Sequence, residues 1–160
     1  MVALLSGCGE QETQEQIDEG AILSYLDEVP EEAVRRSPEG VYVRIDVANP
    51  NGRAVYPEDI VRVSFRLSVL NAGDTLTETC AEDPTEFIVQ SFIPLRVTRC
   101  NTAPASAIQD GFEYGVLQMR EGEKGEILVP SRFAYGGSVN APVPPNSVLR
   151  YFDVTLEEVR

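Results

Sequence analysis

The chain contains no histidine. That excludes Ser-His-Asp and Cys-His nucleophilic sites in their usual form, and it removes the commonest transition-metal ligand. The three cysteines are too few to build a structural zinc site without histidine. No metal and no cofactor is therefore expected. Positive charge is scarce as well: 13 Lys and Arg stand against 26 Asp and Glu, a net charge of −13. This excludes a phosphate-neutralising nucleic-acid surface and electrostatic attraction to anionic lipid. The plain reading of the charge is solubility. At 160 residues and 42% hydrophobic content, the chain has the material for one folded domain with a tail.

The cysteines divide unevenly. Leu5-Ser6-Gly7-Cys8 follows a short apolar run and is similar to a bacterial lipobox, in which the cysteine becomes the lipidated first residue of the mature protein. Met1–Leu4 contribute no Lys or Arg and are shorter than an ordinary apolar signal core. Residues 1–8 are expected to be the remnant of a lipoprotein signal, a chance match being the alternative. The expected place is then the cell envelope, at the periplasmic face of the outer membrane or the cell surface. "GEQETQEQIDEG" continues as an acidic, solvated tether. Cys80 and Cys100 remain as an even pair, which in an exported chain points to a disulfide. Closing a loop of about 20 residues would contribute roughly 3 kcal/mol; two free thiols are the alternative.

Residues 9–38 read as tether, helix and linker. Ile17, Ala21, Ile22, Tyr25, Leu26 and Val29 fit one helical face ended by Pro30. "EEAVRRSPEG" reads as a polar linker, with the domain spanning 39–160. There the period becomes two. "DIVRVSFRLSVL" places Val61, Val63, Phe65, Leu67 and Val69 on one face and Arg62, Ser64, Arg66 and Ser68 on the other. "GVYVRID", "TLTET", "TEFIVQ", "IPLRVTR", "EILVP" and "VLRYFDVTLEEV" are further strands. One helical stripe interrupts them: Ile108, Phe112, Val116 and Met119. Glu121, Glu123 and Lys124 read as an exposed hairpin turn. The fold class is α+β, an antiparallel sheet wrapped around a short helix.

The run "GFEYGVLQMREGEKGEILVPSRFAYGGSVNAPVPPNSVLRYFDVTLEEV" is ordered like a signature. A helix ends in Gly-Val-x-x-Met, Gly-Glu-Lys leads into a strand closed by Val-Pro, and Ala-Tyr-Gly, Val-Pro-Pro-Asn-Ser and Phe-Asp-Val follow. This run resembles the C-terminal half of the FKBP family of peptidyl-prolyl isomerases. With the lipobox-like start, the chain is similar to the bacterial lipoprotein type. Residues 41–100 match mainly in strand pattern.

The resemblance implies an FKBP-like fold, proline-containing unfolded or partly folded polypeptides as partners, a membrane anchor, and specific site residues. Phe112 takes the place of the family's tryptophan floor. Ile108 is the apolar residue before the helix, and Gln109 supplies a backbone N–H to a substrate carbonyl. Tyr135 reaches the substrate backbone with its hydroxyl, and Val143 forms the tip of an overhanging loop. Phe65 stands where a tyrosine is frequent. Phe87 is a candidate wall, or simply a buried strand residue. Leu76 and Thr77 occupy the position of a Phe-Asp pair, which this chain lacks. "LRYFDV" is one residue longer than usual, so either Tyr151 or Phe152 faces the pocket, across a β-bulge.

The chemistry fits such a composition. Rotation about an X-Pro bond faces a barrier of about 20 kcal/mol because the planar amide loses resonance when twisted. An apolar site with aromatic walls and a few hydrogen-bond donors favours the twisted state without a nucleophile. The expected function is prolyl isomerisation of extracytoplasmic proteins. The alternative is a catalytically weak or inactive binding or envelope-structural module, and a hydrolase is disfavoured by the absent histidine.

Overall fold

The computed structural model describes residues 11–72, 75–79, 84–89, 93–96 and 110–160. Cys8, Asp74, Cys80, Cys100, Ile108 and Gln109 lie outside the described residues, as does the side chain of Thr77. The described chain runs α1 (Gln14–Tyr25), β1 (Val34–Arg36), β2 (Tyr42–Val47), β3 (Ile60–Val69), β4 (Thr75–Glu78), β5 (Thr85–Ile88), β6 (Ile93–Arg96), α2 (Asp110–Val116), β7 (Lys124–Val129) and β8 (Leu149–Val159). Single turns of 3-10 helix occupy Glu31–Ala33 and Ser131–Phe133.

The strands form one antiparallel sheet in the order β1-β2-β7-β8-β3-β5-β6, with β4 also on β3. The long alternation of β3 explains its central place. Val61, Val63, Phe65 and Leu67 are buried on the inner face, so the strand's register is strongly specified. Helix α2 lies on that inner face. Gly111 and Gly115 let it approach β7 closely: a Cβ on Gly115 would stand 2.3 Å from Ile127, and one on Gly111 would stand 2.1 Å from Val129.

The sheet is also covered on its outer side. "EILVP" puts Ile127 and Val129 in the inner core, while Leu128 joins a second cluster with Ile22 of α1, the helix's C-cap Leu26, Tyr42, Leu70 and Val148. Burial on both faces is why β7 reads as a continuous apolar run rather than an alternation.

Three expectations need correction. The apolar face of α1 does not run through Ile17, which is 48% exposed; Asp18, one residue on, is 3% exposed and turns inward with Ile22. A buried carboxyl with hydrogen-bond partners substitutes for an apolar residue, which hydrophobic periodicity cannot register. The segment 31–40 is not a linker, because Val34–Arg36 already pairs with β2 ahead of the Glu39 boundary. Glu123 is not an exposed turn residue. It is fully buried and bidentate with Arg35, at 2.7 Å to each guanidinium nitrogen, and it accepts the Arg120 and Asn49 N–H groups. Burial alone would push the Glu123 carboxyl up. The Arg35 and backbone hydrogen bonds together outweigh burial and hold it below the usual 4.5.

Candidate functional site

The inner face gathers rings. Phe65 from β3, Phe87 from β5, Phe112 from α2 and Tyr151 from β8 are all buried. Phe112 is the hub: its centroid lies 4.3 Å from Tyr151 in a stacked pair, 4.8 Å from Phe65 and 6.0 Å from Phe87. Phe65 and Tyr151 meet edge to face at 5.3 Å. These are the preferred geometries of aromatic pairs. Leu76 of β4, Tyr135 and Ala141 pack on this core partly buried, and Val143 is 5% exposed there.

The bulge on β8 decides the ambiguity in "LRYFDV". Register against β3 shifts between Ser64 and Arg66, and Asp153 takes a positive φ of 51°. Tyr151 then points to the core. Phe152 points to the outer face, beneath the guanidinium groups of Arg66 at 4.9 Å and Arg150 at 4.6 Å. Phe152 is therefore not brought to the ring cluster.

The loop after β7 carries Tyr135. The Ser131 carbonyl accepts the N–H of Ala134 and of Gly136, at 3.0 and 2.8 Å. Gly136 has φ +55°, a conformation glycine takes without strain, and its carbonyl accepts the Asn146 N–H at 2.7 Å. These bonds close the loop 137–145 at its base. Val143 is carried between Pro142 and Pro144-Pro145 and packs down on the core. Phe133 meets Tyr114 of α2 edge to face at 5.4 Å.

Of the expected site residues, Phe65, Phe87, Phe112, Tyr151, Leu76, Tyr135 and Val143 all belong to or pack on one core. What the sequence did not reveal is the support beneath them, Gly111, Gly115 and Asp18. The glycine spacing of four, on a helix with Phe112 between, is the available signal for close packing.

The profile of the family described as FKBP-type peptidyl-prolyl cis-trans isomerase matches residues 51–157. The chain belongs to this family. No curated protein matches the sequence. Among solved structures, FkpA from Escherichia coli aligns with 92% of this chain and 59% of its own length, at TM-score 0.65 and 21% identity. A peptidyl-prolyl cis-trans isomerase from Pseudomonas syringae pv. tomato DC3000 aligns with 94% of this chain and 98% of its own, at TM-score 0.64 and 16% identity. The FKBP domains of wheat FKBP73 align with 80% of this chain and 49% of theirs, at TM-score 0.60 and 20% identity. At these identities the likeness speaks for the fold, the FKBP-like antiparallel sheet around a helix. The chain thus spans less than two thirds of the length of FkpA.

Proposed function

We propose that the protein is a peptidyl-prolyl cis–trans isomerase acting on proline-containing, unfolded or partly folded extracytoplasmic polypeptides. It is held at the envelope by a lipid on Cys8, with the acidic tether and α1 leading into the FKBP domain, and Cys80 and Cys100 are paired. Family membership supports the reaction class. The observation that carries the site is the convergence of Phe65, Phe87, Phe112 and Tyr151 with Tyr135 and Val143 of the proline loop.

Such a site works by solvation and placement. Planar amide resonance separates charge, so an environment that replaces water with rings and aliphatic groups favours the twisted amide. The buried ring cluster, with Phe112 as hub, forms the floor beneath the prolyl ring. The Tyr135 hydroxyl holds the substrate backbone, and Leu76 and Val143 flank it. No bond other than the rotating one changes, so no histidine is required.

Leu76, where the family's Phe-Asp pair is expected, favours a second reading, a module that binds proline segments without turning them. Isomerisation of short X-Pro peptides separates the two. The isomerase accelerates exchange above the uncatalysed rate, and Tyr135→Ala lowers kcat/KM by about tenfold or more. Wild type and Tyr135→Ala both at the uncatalysed rate would overturn catalysis and leave binding.

A further inference from the structure

We propose that Asp18, on the N-terminal helix, is a positioning residue for the Tyr135 loop, so that α1 supports the site in addition to linking it to the envelope. The proposal rests on the isomerase reading above. Asp18 Oδ2 accepts the Ser131 backbone N–H at 2.8 Å and the Ser131 hydroxyl at 2.6 Å, across 113 residues of sequence. Its other oxygen accepts the Gln14 side-chain amide at 2.6 Å. Both Asp18 and Ser131 are buried, at 3% and 2% exposure.

The chain of hydrogen bonds does not stop at Ser131. The Ser131 carbonyl takes the N–H groups of Ala134 and Gly136, which bracket Tyr135, and the Gly136 carbonyl takes the Asn146 N–H beyond Pro144-Pro145. One carboxyl on α1 therefore fixes the residue from which the Tyr135 turn is hung. Glu15 adds an ion pair to Arg132, also on that turn. From the opposite side α2 presses on the same segment: a Cβ on Gly111 would stand 2.9 Å from the Phe133 Cβ. The turn that carries Tyr135 is thus tied to α1 by hydrogen bonds and packed by α2.

The docking of α1 does not depend on Asp18 alone. Ile22 and Leu26 bury against Tyr42, Leu70, Leu128 and Val148. Removing the carboxyl should loosen the turn while the helix stays in place. Displacing a substrate-holding group by even a fraction of its contact distance costs rate rather than affinity when that group acts in the transition state.

The test uses the full chain with Asp18→Ala, Asp18→Asn and Ser131→Ala. It reads isomerisation of an X-Pro peptide, thermal midpoints, and amide hydrogen exchange at Ser131, Ala134, Gly136 and Asn146. Asn keeps an acceptor for both Ser131 donors. The expected result for Asp18→Ala, below its unfolding transition, is loop amides exchanging about tenfold faster while β3 and β8 amides do not. Its kcat falls about tenfold with KM little changed, and Asp18→Asn restores both. Ser131→Ala, which removes only the hydroxyl donor, moves the same readouts less and serves if Asp18→Ala does not fold. Unchanged loop exchange, or equal acceleration across β3 and β8, overturns the proposal. If the wild type itself shows no isomerisation, the functional reading fails, and loop exchange alone decides the role of Asp18.

Discussion

Tyr151 and Phe152 are neighbours on one strand and live in opposite chemistries. Tyr151 is buried on the inner face, stacked on Phe112 among aliphatic and aromatic side chains. Phe152 lies on the outer face between two arginines. Beside the apolar cluster under α1, that outer face is organised by charge. Glu126, 3% exposed, takes hydrogen bonds from Arg150 and from the Tyr25 hydroxyl and pairs with Arg44. At the β1 edge Arg35 and Glu123 do the same. The contrast teaches where function can sit. A surface of paired charges is structural and solvated at its rim, whereas the ring cluster is a dry, polarisable core, the kind of floor on which we propose that a rotating amide rests.

The contrast can be broken by truncating each neighbour. Tyr151→Ala should destabilise the fold by about 3–5 kcal/mol, as for any large buried ring, read from denaturant unfolding. An effect as small as that of an exposed aromatic would contradict the inner packing. Glu123→Gln comes next and sharpens the charge-held side. Loss of hydrogen bonds to a charged partner should remove about 2 kcal/mol at neutral pH. Because the folded pKa of Glu123 lies below the usual 4.5, its stabilisation is complete above that value and is lost as pH falls through the folded pKa. Unfolding curves of wild type and Glu123→Gln should therefore diverge at neutral pH and converge in acid. Parallel curves across the whole range would contradict the pairing with Arg35. Phe152→Ala is the mildest change, about 0.5–1 kcal/mol from two cation–π contacts of a half-buried ring, and it should leave isomerisation untouched.

Legibility followed the range of the interactions. The alternation of β3 carries its own answer, because period two with Val61, Val63, Phe65 and Leu67 on one side leaves one face to bury. The helix that buries Phe112 and the loop that carries Tyr135 and Val143 onto the core were likewise readable from the ordered motif in which they lie. Asp18, Arg35 and Glu123 were not, since each looks solvated in its own segment and finds its partner far away in sequence. The assignment of Tyr151 over Phe152 was also beyond the string of residues. A one-residue bulge at Asp153 exchanges the faces, and nothing local fixes where the bulge falls.

The central claim is that the inner rings, and not the outer ones, turn proline. The direct measurement is the cis–trans exchange rate of one X-Pro peptide with wild type, Phe112→Leu and Phe152→Leu, each folded at the assay temperature. Catalysis is expected from wild type, the same rate from Phe152→Leu, and a loss of about tenfold or more from Phe112→Leu. Equal rates for all three proteins, or a loss confined to Phe152→Leu, would contradict it.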